Sequence, residues 1–90
     1  MSKPSVMTKN LQFTRLLKAG DRLREFNFRR SSVDGNTQFN IDVTDDRNNR
    51  ISFQLQNQEK EWKIQPRTLP EWILDNETVF HEIIEEELQS

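Results

Sequence analysis

The chain has 90 residues, with 13 Lys plus Arg set against 15 Asp plus Glu, a length that holds one small domain. It has no cysteine, which excludes disulfide scaffolds, thiol nucleophiles and thiolate metal sites. Leu, Ile, Val and Phe make up 24 of the 90 residues, above the roughly 20% floor below which chains tend to be disordered, so a thin core is expected.

Residues 1–9 mix Ser, Lys, Pro and Thr without periodicity and are expected to form a flexible arm ahead of a single domain over 10–90. Phe13, Leu16, Leu17 and Gly20 then fall at i, i+3, i+4 and i+7, with Gly20 where a helix would stop. This spacing predicts a short helix over Asn10–Ala19, although Leu11, Phe13 and Leu17 would also suit a strand.

From Leu23 onward the period changes to two. Phe26 and Phe28 share a face on a first strand, Phe39, Ile41 and Val43 on a second, Ile51, Phe53 and Leu55 on a third, Trp62 and Ile64 on a fourth. Asn27, Gln38, Asn40, Asp42, Ser52, Gln54, Gln56, Lys63 and Gln65 alternate with them. That pattern marks an antiparallel sheet with one packed and one wet face.

The turns test this reading, because a hairpin loop fixes register. A two-residue Asp34-Gly35 loop sets Phe28 opposite Ile41 and Phe26 opposite Val43. The Asp45 to Asn49 connection must be odd in length to align Val43 with Ile51, and Asn suits the left-handed position of a three-residue loop. A four-residue loop from Asn57 to Lys60 sets Phe53 opposite Ile64.

After Pro66, Thr68-Leu69-Pro70-Glu71 matches a capping box. Leu69, Trp72, Ile73, Val79, Phe80, Ile83, Ile84 and Leu88 continue as a helical stripe interrupted at Asn76. One helix over Leu69–Leu88 and a pair broken by a cap at Asp75 or Asn76 both fit, and the broken pair is favoured. The expected fold is therefore α+β: a four-stranded antiparallel β-meander with a short N-terminal helix and a C-terminal helix, or broken helix pair, packed on one face.

Catalytic chemistry finds few footholds. His81 is the single histidine; Glu77, His81 and Glu85 share a helix face, but the second histidine of the zinc motif H-E-x-x-H is missing, so no metal site is assigned. Two glycines, Gly20 and Gly35, cannot build a phosphate loop or dinucleotide turn. No serine sits in a nucleophile elbow, and the paired carboxylates fall in turns or on a solvated helix end. No enzyme, cofactor or small-molecule substrate is expected.

The charge is polarised. Residues 1–30 carry a surplus of six positive charges and residues 67–90 a surplus of six negative ones. Arg22, Arg24, Arg29 and Arg30 flank Phe26 and Phe28, and arginine interleaved with aromatics suits single-strand nucleic-acid binding. In order of elements only, a meander followed by a helix resembles the single-strand-binding folds of the Whirly type. Against this, the rings share the face that must form the core, and the acidic C-terminal segment repels phosphate.

Glu85, Glu86 and Glu87 oppose the macrodipole at the end of their helix. Solvation with fraying beyond Ile84 accounts for them simply; pairing with the basic segment, within the chain or with another copy, is the sharper account. The amide face around Asn40, Gln54 and Gln56 offers hydrogen bonds to a partner, and the outer strands, around Leu23 to Arg30 or Trp62 to Gln65, offer unpaired backbone.

The best-supported class is a non-catalytic protein-interaction module, with self-association as one form of it. Its candidate residues are Arg22, Arg24, Arg29, Arg30, Asn40, Gln54, Gln56, Glu85, Glu86 and Glu87. A single-stranded nucleic-acid-binding domain using the basic N-terminal helix and first strand is the alternative. With no cysteine, no apolar stretch approaching the roughly 20 residues of a membrane span and no signal-like start, a cytoplasmic location without membrane contact is expected.

Overall fold

Five strands follow one another in sequence and in space: β1 (Gln12–Ala19), β2 (Arg22–Val33), β3 (Asn36–Thr44), β4 (Arg50–Gln58) and β5 (Glu61–Ile64), all antiparallel neighbours. Helices α1 (Glu71–Leu74) and α2 (Glu77–Leu88) complete the chain. The computed structural model describes residues 11–89, without the side chain of Val33; the arm expected over 1–9 lies outside the described residues. The α+β antiparallel architecture is as expected, with five strands in place of four.

The fifth strand replaces the expected N-terminal helix. Ala19 pairs with Arg22 across a two-residue Gly20-Asp21 turn, and Gly20 supplies the positive φ of 69° at its first position. Leu11, Phe13, Leu17 and Ala19 turn inward, whereas Leu16, which helical spacing counted with the apolar face, is 64% exposed. A helix of ten residues is marginal alone in water. As a strand the segment gains a full ladder with β2 and stacks Phe13 on Phe28, centroids 4.7 Å apart. The segment Leu23 to Arg30 is consequently interior, not an outer strand.

The turn predictions hold at two of three places. Asp34 and Gly35 both have positive φ, 53° and 82°, and Phe28 faces Ile41. Val43 faces Ile51; Asp45 N donates to Asn49 O at 2.9 Å, leaving a three-residue loop with Asn48 at φ 65°. The last hairpin differs. Gln58 pairs with Glu61, so the loop is Glu59-Lys60 and Ile64 faces Leu55 instead of Phe53. Both loop residues take positive φ, 55° and 72°, a strain of roughly 1 kcal/mol or more each for residues with a Cβ. The two-residue shift keeps every side chain on its face and sets Trp62 edge-on to Phe39 at 5.2 Å.

Phe26, Phe28, Phe39, Ile41, Val43, Phe53, Leu55 and Trp62 are all buried, together with Ile73, Phe80, Ile83 and Ile84 from the helices. Phe80 is the plug, with ring centroids 5.4 Å from Phe26, 6.1 Å from Phe28 and 5.5 Å from Phe53.

The helix is broken at Asp75 and Asn76, as the interrupted stripe suggested. The capping box does not form. α1 starts at Glu71 with Pro70, which has no side-chain acceptor, at its N-cap in place of Thr68; the Pro70 carbonyl accepts from Ile73 and Leu74. Asn76 occupies the N-cap of α2 without a side-chain cap bond; its Nδ2 donates back to Trp72 O at 2.8 Å. Among the described residues, no helix is long and apolar enough to cross a membrane.

Candidate interaction edge

The two outer strands, β1 and β5, present their backbones differently. In an antiparallel ladder closed by a two-residue turn, hydrogen-bonded and non-bonded pairs alternate from the turn. In β1 the bonded positions are the odd-numbered ones, a series continued by Arg30 N donating to Leu11 O at 2.9 Å. The N–H and C=O groups of Gln12, Thr14, Leu16 and Lys18 therefore point away from β2, and no described residue bonds them.

In β5 the same rule turns Trp62 and Ile64 outward. Here α2 meets them. Trp62 N donates to His81 Nδ1 at 3.0 Å and Ile64 N to Glu77 Oε2 at 2.8 Å, while the indole Nε1 of Trp62 donates to Glu85 Oε2 at 2.9 Å. Glu77, His81 and Glu85 are thus used, one per turn, in fastening α2 to the sheet edge. Among the described residues no group of three potential ligands could hold a metal ion. Lys63 and Glu61, 3.0 Å apart on the exposed side of β5, hold each other charged: the Glu61 carboxyl lies below its usual range and the Lys63 ammonium above its own.

The apolar-in, polar-out alternation of the sheet is interrupted around β1. Arg15 and Arg24 lie on the packed face, opposite Phe26 and Leu17; Leu16 and Leu23 lie on the outer face, opposite Glu25 and Lys18. Leu16 is 64% and Leu23 65% exposed.

Each inward cation has its own partners. Arg15 Nη2 reaches Glu87 Oε2 at 2.8 Å and Glu86 Oε1 at 3.2 Å. These two carboxylates, Glu87 foremost, raise the Arg15 pKa above its ordinary value. The acidic run continues as helix to Leu88, and pairing within the chain offsets its clash with the macrodipole. Arg24 is buried, donating through Nε to Ala19 O at 2.9 Å and through Nη1 to Asp46 Oδ1 at 3.0 Å. Its guanidinium lies 4.0 Å from the Trp72 ring centroid. A Cβ at Gly20 would sit 3.6 Å from both Arg24 Nη2 and Trp72 Cβ, so the β1–β2 turn, the β3–β4 loop and α1 meet around one arginine.

That loop is braced from within. The Asp45 carboxylate accepts from the backbone N–H of Arg47 at 2.9 Å and of Asn49 at 2.8 Å. These bonds, Asn49 foremost, hold the Asp45 carboxyl below its usual range.

The remaining candidate residues are dispersed. Arg22 is exposed beside Asp46, 3.5 Å away. Arg29, Asn40 and Gln54 line one open depression of about 300 Å³; Arg30 and Gln56 line another of about 480 Å³ with Trp62 and Leu88. Phe26 and Phe28, at 0% and 1% exposure, offer no ring on which a base could stack. The outer amides bond one another across strands: Thr14 Oγ1 donates to Asn27 Oδ1 at 2.7 Å, Asn27 Nδ2 to Asp42 at 3.0 Å, Asn40 Nδ2 to Ser31 at 3.0 Å and Gln56 Nε2 to Gln38 at 3.2 Å. Gln38, expected on the wet face, is only 7% exposed.

Sequence reasoning missed Arg15, Leu16, Leu23 and Asp46 as candidates. The available signal was parity: once Gly20-Asp21 is taken as a turn, Leu16 and Leu23 fall on the outer face and Arg15 and Arg24 on the inner one. Comparison of the chain with protein-family models, curated proteins and solved structures finds no match to any of them.

Proposed function

We propose that the chain is a non-catalytic protein-interaction module that receives an extended segment along β1. The observation that carries this reading is the outward backbone of Gln12, Thr14, Leu16 and Lys18, without a partner among the described residues and beside two leucines exposed by about two thirds. Strand addition uses such a row of donors and acceptors for affinity and alternate side chains for selectivity. Exposed leucines next to an open edge invite pairing. The groups that could serve acid–base chemistry support the non-catalytic part: His81, Glu77 and Glu85 hold β5, and Glu86 and Glu87 hold Arg15. A cytoplasmic location fits the absence of cysteine.

Backbone amide exchange in dilute protein tests the edge. The N–H groups of Thr14, Leu16 and Lys18 should exchange quickly while those of Phe13, Arg15 and Leu17 are protected by β2. Equal protection of both sets would show that the edge is covered by the chain itself and would remove the proposal.

A further inference from the structure

We infer that the occupant of the β1 edge is a second copy of the chain, paired antiparallel about a two-fold axis through Leu16. This rests on the reading of β1 as an open edge and adds the partner and its register.

Three observations lead there. First, the other edge has lost its donors: with Trp62 N and Ile64 N taken by His81 and Glu77, β5 of one copy has no outward N–H left to offer β1 of the next. A head-to-tail filament is thereby disfavoured, and β1 against β1 is the closed, isologous arrangement.

Second, the register is nearly fixed by parity. The outward groups belong to even-numbered residues, so a symmetric antiparallel pairing must match even with even. Only two such registers overlap most of Gln12–Ala19. One puts Arg15 on the axis against its own copy, in a non-bonded pair where side chains approach most closely and like charges repel. The other puts Leu16 on the axis, with Thr14 facing Lys18, Arg15 facing Leu17 and Phe13 facing Ala19 of the second copy. No like charges oppose each other in it, and the Thr14, Leu16 and Lys18 backbones of each copy all find partners.

Third, the residue on that axis is a leucine 64% exposed on an outer face that is polar around it. Two Leu16 side chains side by side cover each other, and the result is one continuous ten-stranded sheet with both α2 helices on the same side.

The test is light scattering across a concentration series of the full chain, joined to amide exchange. Wild type should approach twice 10.8 kDa as concentration rises, with protection appearing at Thr14, Leu16 and Lys18. Leu16→Lys and Leu16→Glu should each weaken the dimer at least about tenfold, and mixing the two should restore a heterodimer, because only this register sets residue 16 against itself. Thr14→Pro removes an outward donor without touching the β2 ladder and should also favour the monomer. A dimer indifferent to all three variants, or a mixture that stays monomeric, would overturn the register. Wild type that remains monomeric with fast Thr14 and Leu16 amides would overturn self-pairing while leaving the open edge intact; slow amides in a strict monomer would overturn both.

Discussion

At the β5 margin the outward N–H groups of Trp62 and Ile64 end on His81 and Glu77 of α2; at the β1 margin those of four residues end on nothing among the described residues. The difference comes from the side chains, since both strands lie at the edge of one regular meander. α2 carries a polar residue every fourth position towards β5; Glu77 and His81 satisfy backbone donors that would otherwise invite another strand, and Glu85 holds the Trp62 indole. The outward backbone of β1 meets no acceptor from α2, whose last turns reach only the inward Arg15, and the binary pattern is interrupted there by Arg15 and Arg24 inside and Leu16 and Leu23 outside. Local rules broken in this way tend to gather at functional places.

The comparison breaks most sharply if the closed edge is opened. The double variant Glu77→Ala, His81→Ala leaves two half-buried backbone donors without acceptors, at a cost of about 1 to 2 kcal/mol each. Urea unfolding should register a combined loss of about 2 to 4 kcal/mol. A second consequence is specific to the edge: with both margins open, β1 of one copy can pair with β5 of the next, and sedimentation should reveal species larger than a dimer. If the variant is destabilised yet never assembles further, the two side chains support packing and do not guard the edge.

A smaller effect is expected where β1 is anchored. Arg24→Ala removes the charge-assisted bonds to Ala19 O and Asp46 and the contact with Trp72. Asp46 remains 60% exposed and returns to water at little cost, so the expected loss is about 2 kcal/mol. Amide exchange should rise at Leu17 and Ala19, near the Gly20-Asp21 turn, before it rises at Phe13. Uniform loss of protection along β1 would show that Phe13 on Phe28, and not Arg24, holds the strand in place.

How much of this was legible in the sequence follows from the same contrast. Alternation from Phe26 onward gave the faces of β2 to β5, and Asp34-Gly35 and Asn48 gave two turns, because glycine and asparagine announce left-handed backbone. The β4–β5 turn was unreadable for the converse reason: Glu59 and Lys60 carry no such preference, and tertiary packing of Trp62 imposes their conformation. β1 was misread as a helix because Arg15 interrupts its inner face and Leu16 adds a false apolar position at helical spacing. The candidate edge was hidden by the same two residues. The fastening of β5 was half visible, since Glu77, His81 and Glu85 share a helix face, but nothing in the chain says that a strand edge faces them.

The smallest expected effect is that of acid on the anchor of β1. The Asp45 carboxyl is held below its usual range by backbone N–H donors of its own loop, so the folded state favours its ionised form more than the unfolded chain does. Stability from this group is therefore complete above the ordinary aspartate value of about 3.9 and is lost as pH falls through the lower, folded value. The same loop presents Asp46 to Arg24, which makes the β1–β2 turn the region that should loosen with it. Asp45→Asn should flatten the acid limb of the stability curve and leave the region above pH about 5 unchanged in shape. Glu61, lowered by Lys63 on β5, acts in the same direction on the opposite margin, so Glu61→Gln provides the control. If Asp45→Asn raises exchange at Ala19 and Glu61→Gln does not, the acid response of β1 belongs to its own anchor; equal effects of both would assign it to the sheet as a whole.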